Sequence, residues 1–545
     1  MKWTIAGAGA LLAAVPAGAQ VAPPAQALQR NPTINPDRIN EEQRRRAEAR
    51  ANPELVAPTR PEVEAPPPAA PTAGTAGEVR FVLTGVDFDR SDYLSRTELD
   101  ALVQPLIGRE IAFAELQSVV DRINQLYAAR NLTTARAVLP AQQVEGGRVQ
   151  IRLVEGRIGA TTVEGGSARS RRYAQGRGSL EAGTLASPTA LEEQLRLFNL
   201  NNDAQLRARL QPGADFGRTD VALTVQEPPR FGADLFVDNN GFASTGEAEV
   251  GVVLRGYRLL GDADRVSLVG VASRGVRSGN LSLSTPIGDR IRVGASGSYG
   301  RTRVIFGPVA ELDVRGTSYS FGGDIAALLA IDDRMTVTGT GAVTTSFSRT
   351  DIAGQRVIDN EAINAVAGLI TSYAVPGFAA TLQYNLTLAN VDEKLSGTTV
   401  TPLLLQGGAT FAKALNPQVQ ARARFEGQLS TTDLLPGIVQ YQIGGARASR
   451  AFAPGVAAGD HGFSASLELA YGATWDGLAI EPMLFVDHAE VATVGYKARA
   501  GSVGAGLTLT YSPRIIVRGT VATAFERAGG LAQSTRAFVS TTFRL

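Results

Sequence analysis

Side chains able to carry out covalent, redox or metal chemistry are scarce in this sequence. Its 545 residues include no Cys and only two His, His461 and His488. The nucleophile motif Gly-x-Ser-x-Gly, the phosphate-binding motif Gly-x-x-x-x-Gly-Lys-Ser/Thr and the zinc motif His-Glu-x-x-His are all missing. A metal site built from the two histidines is an alternative that we do not favour. The sequence therefore predicts no enzyme, no metal and no cofactor.

Charge and composition exclude further classes of protein. Lys and Arg number 53 against 52 Asp and Glu, and such a balanced charge argues against a protein that binds nucleic acid. A chain without cysteine forms no disulfide, which permits a periplasmic or outer-membrane location without requiring one. At 545 residues the chain is longer than one compact domain usually is, so we expect several domains.

Residues 1–19 have the pattern of a secretory signal peptide. Lys2 supplies a positive charge, Ile5–Val15 is apolar, and the small residues 17–19 before Gln20 resemble a cleavage site. The apolar stretch is shorter than the ~20 residues that a membrane-spanning helix needs. An uncleaved N-terminal helix is the alternative. Later in the chain no run of 18 apolar residues occurs, so a membrane-spanning form must be a closed barrel.

Residues 35–51 form a charged segment that favours a helix, and a Pro-rich linker follows over 52–77. Acidic side chains stand early in the segment and basic ones late, as the helix dipole prefers. The basic side chains include Arg44, Arg45, Arg46 and Arg50. Because the segment is polar all round, it is either a solvated arm or a helix inside a water-filled lumen. The extended linker could carry it tens of ångströms from the next domain.

Two small modules follow, at 78–156 and 157–229, with strands before and after their helices. In the first, Ser95 and Glu98 have the spacing of a capping box that starts a helix, and a second helix comes after it. In the second, Ser187 precedes the one helix that the pattern indicates. This order predicts two α+β domains.

The region 230–545 loses helical periodicity and consists of short stretches in which apolar and polar residues alternate. In Thr381–Asn390 the leucines and the tyrosine face one way, and Val539–Leu545 behaves similarly. A membrane barrel requires this alternation, and at roughly 20 residues per strand and loop the region holds about 16 antiparallel strands. A soluble β-sandwich array also alternates, but its core would need more Trp, Ile and Phe. The predicted fold is therefore mainly β, with a C-terminal transmembrane barrel.

This order of segments resembles the transporters of two-partner secretion, the haemolysin and filamentous-haemagglutinin transporter type of the outer-membrane assembly-factor superfamily. The resemblance covers about residues 79–545. The first module is similar to a POTRA domain of that family through residues 132–142 and 151–156. The second is similar to a second POTRA domain through residues 197–199, and 238–241 resemble the start of the family's barrel.

The most specific part of the resemblance begins near residue 441. Gly444 and Gly445, followed by Arg450 and Phe452, resemble the long sixth extracellular loop of the family. The resemblance implies that this arginine-bearing loop folds back into the barrel lumen. Ala451 stands where the family usually has glycine.

A strand motif downstream completes this resemblance. Phe485 and Asp487 resemble the barrel-wall residues that receive the loop arginine, with Ala489 in place of a glycine. On spacing alone, Arg450 and Asp487 would be unrelated lumen charges. The resemblance implies that they pair, and a guanidinium in a lumen with little water favours a carboxylate that accepts two parallel hydrogen bonds.

The resemblance implies a function as well as a fold. POTRA domains in the periplasm would recognise a secreted partner protein, which then crosses the outer membrane through the barrel pore, while the 35–51 helix plugs that pore at rest. We expect the partner to be a large β-helical adhesin, haemolysin or similar protein, and the barrel to be a monomer surrounded by outer-membrane lipid. A barrel- or autotransporter-assembly factor is the main alternative, but it usually carries more POTRA domains.

Overall fold

The computed structural model describes residues 34–51, 63–64 and 80–545, apart from positions 131, 133, 179, 180, 216, 308 and 533. The expected signal peptide and most of the expected linker lie outside the described residues. Within these residues, every helix is too short or too polar to cross a membrane. The same part of the chain holds no group of three or more His, Asp or Glu side chains placed to bind a metal ion.

Two short elements come before the modules. Helix α1 spans Pro36–Ala51, and strand β1 is Val63–Glu64. Strand β1 pairs in parallel with a strand of the second module, with Val63 opposite Ala208 and Glu64 opposite Arg209. A segment of the linker is therefore an added edge strand of that module.

The first module packs two helices against short strands. Its elements are β2 (Arg80–Val82), β3 (Gly85–Phe88), α2 (Arg96–Val103), β4 (Glu110–Ala112), α3 (Phe113–Ala129), β5 (Ala135–Val138) and β6 (Arg148–Glu155). The capping box is formed as predicted, because the Ser95 side chain accepts from the Glu98 amide and the Glu98 carboxylate accepts from the Ser95 amide. Leu99, Leu116 and Ile151 are buried in one core.

The second module contains one helix more than its sequence pattern indicated. Its elements are β7 (Arg157–Gly165), α4 (Ala168–Gly178), α5 (Pro188–Asn201), β8 (Gln205–Pro212) and β9 (Arg218–Gln226), in the sheet order β1-β8-β9-β7. Helix α4 is rich in Arg, and Ala174 is its fully buried apolar residue. Without an apolar stripe, periodicity could not reveal it.

The rest of the chain closes into an antiparallel barrel, as predicted. Its strands are β10 (Phe231–Asp238), β11 (Glu249–Tyr257), β12 (Arg265–Ala272), β13 (Val276–Ile287), β14 (Ile291–Arg303), β15 (Arg315–Ile331), β16 (Met335–Ile352), β17 (Gln355–Val375), β18 (Phe378–Glu393), β19 (Thr398–Val400) continued by β20 (Leu403–Ala414), β21 (Val419–Ser430), β24 (His461–Tyr471) continued by β25 (Ala473–Trp475), β26 (Leu478–Thr493), β27 (Tyr496–Ser512), β28 (Ile515–Ala528) and β29 (Thr535–Arg544). Counting each interrupted strand once gives 16 strands, and β29 pairs with β10 to close the barrel. Strands β22 (Tyr441–Ile443) and β23 (Ala457–Gly459) form a separate hairpin within one loop.

The alternation along the barrel strands separates a lipid-facing surface from a polar lumen. On β18, Tyr384, Leu386 and Leu388 are 54%, 47% and 50% exposed on the outer face, as their spacing predicted. On β16, Ser346, Ser348 and Thr350 are buried on the inner side. Apolar side chains that remain exposed around a closed barrel are suited to contact with lipid.

The second module contacts one end of the barrel through ion pairs. The Arg196 guanidinium lies 2.6 Å from the Asp333 carboxylate. The Asp203 carboxylate lies 3.1 Å from Arg265 and 2.8 Å from Arg292. These pairs hold the module beneath one side of the barrel opening.

Candidate functional site: an obstructed barrel lumen

The loop that joins β21 to β24, residues 431–460, folds back into the barrel. Its hairpin pairs Tyr441 with Gly459, and Ile443 is fully buried. At its base the carboxylate of the fully buried Asp460 accepts from the backbone amides of Leu434 and Leu435 at 2.8 and 2.9 Å. A loop of this length stays ordered because its polar backbone groups find partners inside the barrel.

Backbone geometry turns the chain sharply before the loop tip and at the tip itself. Gly444 and Gly445 have φ of 92° and 90°. A Cβ on Gly444 would lie 2.2 Å from the Ala453 carbonyl oxygen, so glycine is required there. The left-handed angle at the tip itself falls on Ser449, with φ of 62°, and its hydroxyl donates to the Ala500 carbonyl at 2.8 Å. Ala451 is therefore accommodated where the family usually has glycine.

The Arg450 side chain meets the carboxylate of Asp487 on β26. Its Nε and Nη2 donate to the two Asp487 oxygens at 3.0 and 2.6 Å, and its backbone amide donates to Oδ2 at 3.0 Å. Nη1 donates to Glu468 at 2.7 Å and Nη2 to Ser466 at 2.8 Å. The side chains of Arg450 and Asp487 are only 6% and 1% exposed. This is a charge-assisted, two-pronged contact in a setting with little water.

Aromatic and small apolar side chains surround this ion pair. The Arg450 guanidinium carbon lies 3.4 Å from the centre of the Phe485 ring. Phe452 is 1% exposed and packs in the same cluster as Phe485. Ala489, which stands where the family usually has glycine, is fully buried in that cluster as well. A guanidinium over an aromatic face gains a cation–π attraction that strengthens as water is excluded.

Helix α1 lies against the inner wall with a face that sequence analysis did not recognise. Ile39, Ala47 and Ala51 recur at intervals of four and eight residues and are at most 3% exposed. Ala47 and Ala51 pack on Phe236 and on valines of β11 and β12. The apolar face of the helix thus consists of one isoleucine and two alanines. Polar contacts make up most of the rest of its attachment to the wall.

Polar side chains hold the first turns of α1 to the wall. The Asp37 carboxylate accepts from the Thr350 hydroxyl at 3.0 Å and the Asn360 amide at 3.3 Å. The Asn40 side chain accepts from the Thr302 hydroxyl at 2.6 Å. All five residues are buried, and Thr302, Thr350 and Asn360 lie near the ends of their strands that are remote from the second module. The start of α1 is therefore anchored at the end of the lumen remote from the second module.

The four arginines singled out in α1 divide into two pairs. Arg46 donates to the Asn240 carbonyl at 2.6 Å, and Arg50 donates to Asp238 at 2.9 Å, with its guanidinium carbon 3.6 Å from the Phe236 ring centre. Arg44 and Arg45 instead form ion pairs with acids of the helix itself, such as Glu41. Arg46 and Arg50 attach the helix to the barrel wall, whereas Arg44 and Arg45 stabilise the helix.

The helix and the infolded loop also contact each other. The Arg38 guanidinium donates to the Gln440 side chain, and the Gln442 side chain donates to the Arg38 carbonyl at 3.3 Å. Asn35 and Arg38 closely approach Gly437 of the loop. The two occupants of the lumen therefore form one connected obstruction.

Comparison with known families identifies this architecture. The sequence model of the haemolysin secretion/activation proteins ShlB/FhaC/HecB matches residues 217–511, more than half of the chain. The chain belongs to this family. A second model, that of the POTRA domain of ShlB type, matches residues 81–156. The family is that of outer-membrane transporters with periplasmic POTRA domains, so the barrel lies in the outer membrane and the first module in the periplasm.

Individual proteins that are similar to this chain are transporters as well. The chain is 26% identical over 260 residues to the heme/hemopexin transporter protein HuxB of Haemophilus influenzae, covering 46% of each protein. It is 27% identical over 259 residues to the outer membrane transporter CdiB of Escherichia coli, covering 47% of this chain and 43% of CdiB. It thus spans about half the length of the curated relatives it matches. The solved structure of Escherichia coli CdiB shares the fold, with a TM-score of 0.66 and 19% identity over 97% of this chain and all of CdiB.

Sequence analysis did not identify several residues of the site. Glu468 and Ser466 reach Arg450 from β24, and Ser502 donates to Asp487 from β27 at 2.9 Å. Gln440 and Gln442 join the loop to the helix. Ser466, Glu468 and Ser502 are on barrel strands and Gln440 and Gln442 are in the loop, and only the three-dimensional pairing distinguishes them from other polar residues.

Proposed function

We propose that this protein exports a partner protein across the outer membrane, from the periplasm to the cell surface. The POTRA domains bind the partner while it is unfolded, and the barrel lumen is its route. Helix α1 and the infolded loop keep the lumen blocked until the partner arrives. The observation that carries the proposal is that hydrogen bonds and ion pairs tie both obstructions to the barrel wall, as Asp37 to Thr350 and Arg450 to Asp487, and that water and a passing chain can replace such contacts.

An edge strand of the second POTRA domain is suited to bind an extended chain. Strand β8 lies at the side of its sheet, and the linker segment β1 pairs with it there. Backbone pairing at a sheet edge binds an extended chain without strict sequence requirements. We propose that the partner takes the place of β1 on β8. Because β1 belongs to the linker of α1, its displacement would loosen the tether of the plug.

Energy for export has to come from a source other than nucleotide hydrolysis by this chain, since its sequence has no phosphate-binding motif. Folding of the partner outside the cell releases free energy that can drive export. A chain that folds at the surface cannot slide back through the pore. A repetitive β-helical adhesin, haemolysin or similar protein could fold progressively as it emerges.

The proposal is tested by comparing the secreted and surface proteins of cells with and without this chain. We expect one large protein, or very few, to disappear from the medium and the surface when the chain is deleted. Wild-type protein should restore it, and the Arg450→Ala variant should not. A general fall in outer-membrane barrels, with no selective loss of a secreted protein, would instead favour an assembly factor.

A further inference from the structure

We propose that Arg277 and Arg301 form a binding site for a phosphate group of the glycolipid in the outer leaflet of the membrane. The site lies on the outer face of β13 and β14, at their extracellular ends. It is remote from the lumen, and its role does not depend on protein export.

The two arginines are direct neighbours on adjacent strands, facing away from the lumen. Arg277 is the cross-strand partner of Arg301, and both side chains are exposed. Val276 and Thr302, next to them in sequence, are buried on the inner side, where the Thr302 hydroxyl contacts Asn40 of α1. Side chains of adjacent residues point to opposite faces of a strand, so the two guanidinium groups lie on the outer face.

Like charges directly opposite each other weaken a strand pair unless an acidic side chain neutralises them. Within the part of the chain that the structure describes, no carboxylate forms an ion pair with Arg277 or Arg301. Other cations around the same rim are neutralised: Arg349 lies 3.4 Å from Asp359, and Lys497 lies 2.6 Å from Glu490. The Arg277–Arg301 pair is therefore a concentrated positive charge that is suited to an external anion.

The position along the membrane normal identifies that anion. One step below Arg301 on the same face is Tyr299, 53% exposed, whose neighbour Tyr319 stacks on Phe347 with ring centres 4.7 Å apart. Aromatic rows of this kind mark the interface between hydrocarbon and headgroups. Two residues advance roughly 7 Å along a strand, or about 5 Å along the membrane normal at a tilt of about 40°, which places the arginines at the level of the lipid headgroups. The outer leaflet of this membrane carries phosphorylated glycolipid at that level.

Two glycines on the surface beneath the arginines are suited to contact with an acyl chain. Gly279 stands opposite Tyr299, and Gly297 stands opposite Leu281. A Cβ on Gly279 would have its nearest neighbour at 3.9 Å, and one on Gly297 at 3.7 Å, so close packing does not require glycine at either position. Because neither position carries a side chain, we take the two glycines as a shallow groove between the arginines and the apolar belt. A phosphate on the arginines with an acyl chain in this groove matches the chemistry of lipid A.

The test uses the full-length protein in nanodiscs and native mass spectrometry with bisphosphorylated lipid A as the probe. The Arg277→Ser/Arg301→Ser variant should bind it about 30-fold more weakly than wild type, since each basic side chain near a lipid surface contributes a several-fold effect. The control, Arg349→Ser/Arg356→Ser, removes two rim arginines that already have acidic partners and should bind as wild type does. Heat-modifiable migration checks that each barrel is folded.

Two further probes separate the sources of phosphate. Dephosphorylated lipid A should bind wild type and the double variant equally weakly. Inorganic phosphate should compete only weakly with lipid A. Equal binding of bisphosphorylated lipid A by wild type and the folded double variant would overturn the proposal. Inorganic phosphate that binds as tightly as lipid A would overturn the assignment to a glycolipid.

Discussion

Replacing Arg450 with alanine should release the infolded loop from the barrel wall. The variant loses two hydrogen bonds to the Asp487 side chain, one each to Glu468 and Ser466, and the contact with the Phe485 ring. Asp487 would remain, 1% exposed, without its counter-ion. Removing one partner of a buried pair costs ~3–5 kcal/mol. The open population of the loop should therefore rise on the order of 100-fold to several thousand-fold.

The absence of native cysteine makes this change measurable. A single Ala451→Cys substitution places a thiol at a fully buried position in the loop tip. When opening and closing are fast compared with labelling, the rate of reaction with a membrane-impermeant maleimide follows the open population. We expect Arg450→Ala to speed labelling in this background by at least about 100-fold, the lower limit set by the pair energy. The labelling rate of Arg450→Lys should lie between the rates of the parent and of Arg450→Ala, because an ammonium cannot form the two-pronged contact.

Two controls make the result specific. Arg447→Ala removes another arginine of the same loop, one that is 53% exposed and 4.0 Å from Glu426, and it should leave the labelling rate unchanged. Asp487→Ala should mimic Arg450→Ala, and the double variant should label no faster than either single variant if the two side chains act as one pair. A labelling rate that is the same in Arg450→Ala and in the parent would refute the assigned role of this pair.

Two further predictions concern the plug and the loop tip. Deleting residues 35–51 should raise single-channel conductance in planar bilayers, because α1 fills part of the lumen, whereas Arg45→Ala, which removes an ion pair internal to the helix, should not; equal conductance of the deletion and wild type would remove α1 as a plug. Gly444→Ala should speed Ala451→Cys labelling roughly 10-fold or more, since a left-handed alanine costs ~1–2 kcal/mol and its Cβ would also clash with the Ala453 carbonyl. Gly477→Ala, with φ of 77° in an open periplasmic turn, is its control, and an equal effect of both variants would contradict the argument.

The barrel was predictable because its signal is repeated along the sequence. Each strand alternates with a period of two, as Leu386 and Leu388 on the outer face illustrate. Many such strands in succession determine both the fold class and the approximate strand number. The first helix of the first module was also predictable, because the capping box of Ser95 and Glu98 marks its start in the local sequence.

The contacts inside the lumen were not predictable from local patterns. Helix α1 has so few apolar residues that Ile39, Ala47 and Ala51 did not register as a buried face. The pairing of Arg450 with Asp487 came from a family resemblance, whereas Glu468 came only from the structure. A charge in a barrel lumen can meet any of several strands, and its sequence position does not say which one.

Protein export by this chain is tested most directly by reconstitution. The purified full-length protein is inserted into liposomes, and the partner found by comparing secreted proteins is diluted from urea onto their POTRA side. We predict that the partner becomes protected from external protease without nucleotide and without any other protein, and that Arg450→Ala abolishes the protection. A partner that stays fully digestible, although the barrel is folded and its POTRA domains face outward, would contradict the account.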